Sequence, residues 1–320
     1  MISPLIILAP TFLWMLGGKQ YIQFLRQKSY GQFIREEGPE SHQKKAGTPT
    51  MGGFYLLFVA FLSMLLLTRF DLQHWSISSG LVWLTILVLG GLGMSDDLLK
   101  IMKKHNKGVH GYTKLAIQAL LGLGLGVYVL LVLKRDAIGM PGLFTLHLGW
   151  FYPVFAALVM TTASNSYNLT DGLDGLAATT GFLTLMGLGF ILSAHHGDPT
   201  LLTLTLLLAG SCLGFFIYNR YPAQIFMGDT GSLSLGGAMA TIAILSGCEL
   251  GLLLLGFVFM LESLSVVIQV ISFKTTGKRV FKMSPLHHHF ELCGWKETQI
   301  VFAAFFVQAI TATLAIFIYN

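Results

Sequence analysis

The stretch ISSGLVWLTILVLGGLGMSDDLLK, residues 77–100, decides the fold class. From 77 to 95 it carries no charge, and a helix of that length covers about 28 Å, close to the hydrocarbon thickness of a bilayer. It then meets two adjacent carboxylates, Asp96 and Asp97, with Lys100 one turn further on. Apolar blocks of the same kind recur along the chain at 2–24, 51–68, 113–133, 149–166, 175–193, 200–218, 231–246, 250–272 and 298–319. With 77–95 they predict an all-α, polytopic integral membrane protein of ten transmembrane helices, a single membrane domain over residues 1–320. Composition agrees: 54% of the residues are hydrophobic and 11% charged, against roughly 25% charged in a soluble domain. A water-soluble globule is excluded.

The block at 2–16 has no basic flank and no small-residue cleavage site, so it reads as a retained first span. Cys212, Cys248 and Cys293 are far apart and form no metal-ligand spacing.

Ten spans divide the connections into two sets. Residues 25–50, 96–112, 167–174, 219–230 and 273–297 hold fifteen Lys and Arg, whereas the opposite set holds Arg69, Lys134 and Arg135. The positive-inside rule makes the first set cytoplasmic and puts both termini outside. The net charge of +5 is thereby a topology signal and calls for no nucleic-acid partner. The same sorting gathers Asp96, Asp97, Asp171, Asp174, Asp229 and the run His287, His288, His289 at one membrane face. Carboxylates at a membrane edge are costly and usually face a polar cavity.

Each cytoplasmic segment admits a plain reading and a chemical one. Asp96-Asp97 is either a solvated helix end, with Lys100 at i+4, or a carboxylate pair suited to Mg²⁺ on a diphosphate. Residues 165–175, NSYNLTDGLDG, are either an Asx- and Gly-rich turn or a ligand loop, with Asp171 and Asp174 on one face and Gly172 and Gly175 admitting close approach. Asp229, before the small-residue helix start at 230–232, is either an N-cap or a cation holder beside an anion-binding helix end. Three consecutive histidines point in different directions and do not suit a closed zinc site; contact with phosphate fits better. The basic first loop, with Lys44 and Lys45, reads as topological or as phosphate-binding. Glu262 is the one carboxylate deep in a span. His195, His196 and Asp198 resemble a metal set but fall on the opposite side and read as a short exposed loop.

Taken together, Asp96-Asp97 after a span, Asn168 through Gly175, Phe226 through Ser232 and Pro285 through Glu291 resemble the polyprenyl-phosphate N-acetylhexosamine 1-phosphate transferases. The His run, with Thr48-Pro49-Thr50-Met51-Gly52-Gly53, points to the phospho-N-acetylmuramoyl-pentapeptide transferase family. The resemblance implies a multi-pass enzyme of the bacterial inner membrane, active as a homodimer at the cytoplasmic face. It would transfer phospho-N-acetylmuramoyl-pentapeptide from its UDP-linked donor to undecaprenyl phosphate. By similarity Asp229 and Asp97 hold Mg²⁺, and Asp96 serves the acceptor phosphate or the metal. Lys45, Thr50, Asn168, Asp171, Gly172, Leu173, Asp174, Asn219 and Phe226 contact the donor, with Phe226 stacked on the base. His287, His288 and His289 lie near the diphosphate. A related transferase using UDP-N-acetylglucosamine is the near rival; a transporter, the distant one, predicts charges near the midplane.

Overall fold

The computed structural model describes residues 4–28, 47–70, 72–103, 108–195 and 197–319. The helices are α1 (Pro4–Gln27), α2 (Gly52–Arg69), α3 (Ile77–Lys103), α4 (Gly111–Leu131), α5 (Tyr152–Thr170), α6 (Leu176–Ala194), α7 (Pro199–Asn219), α8 (Gly228–Ser246), α9 (Gly251–Leu255), α10 (Phe257–Thr276), α11 (Leu286–Leu292) and α12 (Glu297–Tyr319). One antiparallel hairpin, β1 (Ala137–Met140) with β2 (Phe144–His147), joins α4 to α5 in the register Ala137 opposite His147. Among the described residues each predicted apolar block is mainly helical. Eight of the helices are long and apolar enough to cross a bilayer; α5 and α8 are not among the eight.

Those two helices are the ones richest in small and polar residues, and α8 shows why. From Thr230 to Leu245 every one of its residues is buried, because it packs against α2, α3, α4, α5, α6 and α9 at once. Gly, Ser and Ala let six neighbours come close. A Cβ on Gly93 of α3 would lie 2.2 Å from Asp229 O, one on Gly237 2.3 Å from Leu89 Cδ1, and one on Gly53 of α2 2.2 Å from Gly231 Cα. Helices in lipid associate through such close contact, since no hydrophobic force separates them from the tails. Large apolar side chains face outward instead: Leu87, Leu120, Leu158, Ile310 and Phe317 are all exposed. In water that surface would drive aggregation, while in a bilayer it meets acyl chains. The protein is an all-α polytopic membrane protein.

Three local features differ from the pattern reading. First, α3 continues to Lys103, so the Asp pair lies within the helix and not at its solvated end. Second, the predicted span 250–272 is interrupted at Gly256. The freed backbone groups are taken by Gln308 of α12, which accepts from Val258 N at 3.0 Å and donates to Leu255 O. Third, the His run forms the short helix α11 where a loop was expected.

At the end of α8 remote from Asp229, Arg135 donates to Leu245 O at 3.1 Å and to Ile244 O, closing the helix C-terminus with a cation. Tyr152 Oη donates to Glu249 Oε1 at 2.5 Å, and the same oxygen lies 3.3 Å from Arg135 Nη2. Asp198 caps α7 by accepting from Thr200 N at 2.8 Å, so its resemblance to a metal ligand is that of an N-cap. His196 lies outside the described residues.

Candidate active site

Asp96 and Asp97 are successive on α3, so they point about 100° apart around the helix, and both are buried. They have different partners. Asp97 faces the start of α8: its Oδ1 accepts from Asp229 N at 3.0 Å, and its Oδ2 from Thr230 N at 2.9 Å and Thr230 Oγ1 at 2.6 Å. It therefore caps a neighbouring helix, where a carboxylate gains from the unpaired amides and the helix dipole. The helix end that the sequence offered to an anion is taken by this internal one.

Asp96 faces two cations. Its Oδ2 lies 2.5 Å from Lys100 Nζ and its Oδ1 2.7 Å from Lys114 Nζ. The same ammonium groups reach Asp229, Lys100 at 3.2 Å and Lys114 at 2.6 Å. Two carboxylates and two ammonium groups thus alternate in a ring, with Val109 N donating to Asp96 at 2.7 Å. Asn168 of α5 donates to Asp229 Oδ1 at 3.2 Å and to Ser232 Oγ at 2.7 Å, fixing the ring from its third side.

Carboxylate oxygens of Asp96, Asp97 and Asp229 all lie within 4.8 Å of one another. An all-oxygen set of one to three carboxylates fits a hard divalent cation such as Mg²⁺ and does not suit zinc. Asp171, in the turn after α5, looks onto this cluster. Burial, and then the charges of Asp229 and Asp97, hold its carboxyl well above the usual carboxylate range.

Two glycines admit the loops that surround the cluster. A side chain at Gly172 would strike the His287 ring 2.3 Å away, so the glycine lets that imidazole lie on the 171–175 turn. Gly228, at φ +75, is wedged between Thr50 Oγ1 and Asp97 Oδ2, a conformation and a space that only glycine fits. His287 is buried, its N–H donating to Glu262 Oε2 at 3.2 Å with Nδ1 3.1 Å from the same oxygen. Glu262 hence serves α11. His288 Nδ1 pairs with Glu291 Oε2 at 2.8 Å. His289 turns to its own loop: its Nδ1 accepts from Lys282 N at 3.1 Å and its ring lies against Phe281.

A profile of glycosyl transferase family 4 matches residues 79–247, the stretch that carries Asp96, Asp97, Lys114, Asn168 and Asp229. A phospho-N-acetylmuramoyl-pentapeptide-transferase of Oceanobacillus iheyensis is 45% identical over 309 residues, covering 93% of this chain and 92% of the relative. Proteins of the same name from Shouchella clausii, 45% identical over 301 residues, and Heliobacterium modesticaldum, 44% identical over 308, cover 93% and 94% of this chain and 91% and 93% of their own length. The chain belongs to the phospho-N-acetylmuramoyl-pentapeptide transferase family.

The other residues matched to that family's donor site fall into two groups. Thr50 and Phe226 lie on strand-like backbone just ahead of α2 and α8, with Phe226 N donating to Pro49 O and Gly52 N to Phe226 O, both at 2.8 Å. The Phe226 ring is half-buried beside the cluster's loop. Leu173, Asp174 and Asn219 are buried in the scaffold of the loops. Leu173 packs with Leu176 and Ile300. Asp174 accepts from Ala223 N at 2.9 Å while its own N donates to Glu297 Oε1 at 2.5 Å. Asn219 accepts from Gly175 N at 3.0 Å and donates to Ile225 O at 2.9 Å. Lys45 lies outside the described residues. Lys114 and Thr230 were not singled out from the sequence. A lone lysine two residues into an apolar block was the available signal, and one of its two carboxylate neighbours in the ring, Asp229, is 115 positions away.

Proposed function

We propose that this chain transfers phospho-N-acetylmuramoyl-pentapeptide from its UDP-linked donor to undecaprenyl phosphate, releasing UMP, at the cytoplasmic face of the bacterial inner membrane. The ring of Asp96, Asp229, Lys100 and Lys114, at the membrane edge and fixed from three helices, carries this reading. We read the chain as ten spans with both termini outside, and the lysine and arginine excess of the connections on that edge supports a cytoplasmic site.

The acceptor phosphate is largely dianionic at pH 7, so little proton remains to be removed. Catalysis is then a matter of positioning and charge. In the reading proposed here an acceptor oxygen attacks the sugar-proximal phosphorus, the new P–O bond forms as the bond to the bridging oxygen breaks, and UMP leaves with that electron pair. Asp229 and Asp97 would hold Mg²⁺, with Asp96 beside them. That ion supplies fixed positive charge against the diphosphate. Lys100 and Lys114 exchange their carboxylate partners for phosphate oxygens as the substrates enter. Asn168 keeps Asp229 aimed, and Asp97, by capping α8, keeps it in register. His287 and His288 bring two imidazoles to the donor side across Gly172. Phe226 offers a ring for the uracil, and Thr50, Asp171 and Asp174, with Leu173 and Asn219 behind them, shape its pocket.

The test is UMP release by detergent-purified protein given undecaprenyl phosphate and Mg²⁺. Release from UDP-N-acetylmuramoyl-pentapeptide, absent with UDP-N-acetylglucosamine and lost in Asp229→Ala, is expected. Release from the simple sugar donor alone would move the substrate, and none from either donor with folded protein would remove the reading.

A further inference from the structure

One helical turn deeper into the bilayer than the carboxylate–lysine ring lies a second polar group. Gln118 of α4 is completely buried. Its Nε2 donates to Ser164 Oγ of α5 at 3.0 Å, and its Oε1 accepts from Asn165 Nδ2 at 2.6 Å. Ser164 Oγ donates in turn to Leu233 O of α8 at 3.0 Å. Three of these residues are four positions from a member of the site on their own helix: Gln118 follows Lys114, Ser164 precedes Asn168, and Leu233 follows Asp229. The tie therefore joins the three helices that carry Lys114, Asn168 and Asp229, one layer below.

The remainder of the α4 to α5 contact is close packing. It is built on Gly122 and Gly126, where a Cβ would come within 2.5 Å of Ala157 Cα and of Pro153 Cα. That packing sets the distance between the helices, and the amide tie adds directional hydrogen bonds to it. A rotation of about 20° carries a side-chain tip roughly 2 Å around a helix whose radius with side chains is about 5–6 Å. That displacement is enough to break the 2.6 and 2.7 Å contacts of Lys114. An amide among acyl chains and helices tolerates no such freedom, because losing its partners leaves it unsatisfied in hydrocarbon.

We propose that Gln118 is a positioning residue of the transfer reaction: through Ser164 and Asn165 it fixes the rotation of α4 so that Lys114 meets Asp96 and Asp229. The proposal rests on the reading that Lys114 serves the transferred phosphate. Gln308 supplies the comparison, being an equally buried amide that holds the break between α9 and α10 and takes no part in the ring.

The experiment measures kcat, donor KM and unfolding temperature for Gln118→Leu, Ser164→Ala, Gln308→Leu and Lys114→Gln, and for the first two combined with Lys114→Gln. Gln118→Leu should lower kcat about tenfold, equivalent to ~1.4 kcal/mol in the barrier, with KM within about twofold. Ser164→Ala, which removes one hydroxyl from the tie and keeps the fold accessible, should cost about threefold in kcat. In the Lys114→Gln background each should cost less than about twofold, because the group they aim is gone. Gln308→Leu should lower the unfolding temperature and leave kcat per folded molecule unchanged. Losses that multiply in full with Lys114→Gln, or that merely follow the unfolding temperature as in Gln308→Leu, overturn the proposal. A wild-type kcat in Lys114→Gln alone overturns instead the reading on which it rests.

Discussion

Replacing Asp97 by Asn separates the two members of the carboxylate pair. The amide keeps the shape and one acceptor, but its NH₂ must face either the Asp229 N–H or the Thr230 N–H and hydroxyl that now donate to Asp97. At least one hydrogen bond to a charged group is lost, typically ~1.5–3 kcal/mol. The helix dipole of α8 also loses its counter-charge, about 0.3–1 kcal/mol at a surface and more when partly buried. The sum is roughly 3 kcal/mol, which at about 2–4 °C per kcal/mol lowers the unfolding temperature by roughly 6–12 °C. A thiol-reactive dye that reports on the buried Cys212 and Cys248 during heating gives that temperature directly. Asp96→Asn, which leaves the cap of α8 intact and disturbs the lysines, should abolish most of the activity with a smaller fall in stability. An Asp97→Asn protein that unfolds within about 2 °C of wild type would refute the capping role and leave Asp97 free to act on ligands alone.

Other outcomes follow from the same contacts. Gly93→Ala places a methyl 2.2 Å from Asp229 O, so α3 and α8 must separate; the variant should lose both thermal stability and Mg²⁺-supported turnover, by more than about 2 kcal/mol in unfolding free energy. Phe226→Leu removes the ring proposed to stack on the uracil, so donor KM should rise about tenfold, within the ~1–3 kcal/mol of base stacking, with kcat little changed in steady-state assays. Glu249, in the turn after α8, has its carboxyl raised above the ordinary 4.5 because burial outweighs the Tyr152 and Arg135 contacts. The folded chain then binds that proton more tightly than the unfolded one, so this stabilisation is present below 4.5 and is lost as pH rises through the raised value. Unfolding temperatures taken from pH 4.5 upward should accordingly fall less steeply in Glu249→Gln than in wild type.

The apolar blocks carried most of the fold, because a bilayer demands long uncharged helices and leaves their positions in plain view. Gly256 was hidden by the same property. The run GLLLLGFVF, residues 251–259, is apolar throughout, and the break is stabilised by Gln308, some fifty positions on. Asp96-Asp97 was readable as a carboxylate pair but not as two residues with separate tasks, since that depends on which neighbour each side of α3 meets. Leu173, Asp174 and Asn219 stand at motif positions yet are held among the loops, so the motif marks the frame of the pocket as well as its lining. Lys114 and Gln118 escaped notice together: in a sequence, a lysine and a glutamine near the start of an apolar helix look like its hydrated end.

The most direct test of the whole account is Mn²⁺ binding, followed by electron paramagnetic resonance, to the purified full-length chain and to its Asp229→Asn and His289→Ala variants. The account predicts one ion per chain in wild type and in His289→Ala, and its loss in Asp229→Asn. Undiminished binding in Asp229→Asn would contradict the central claim that the cluster of Asp96, Asp97 and Asp229 is the metal-dependent transfer site.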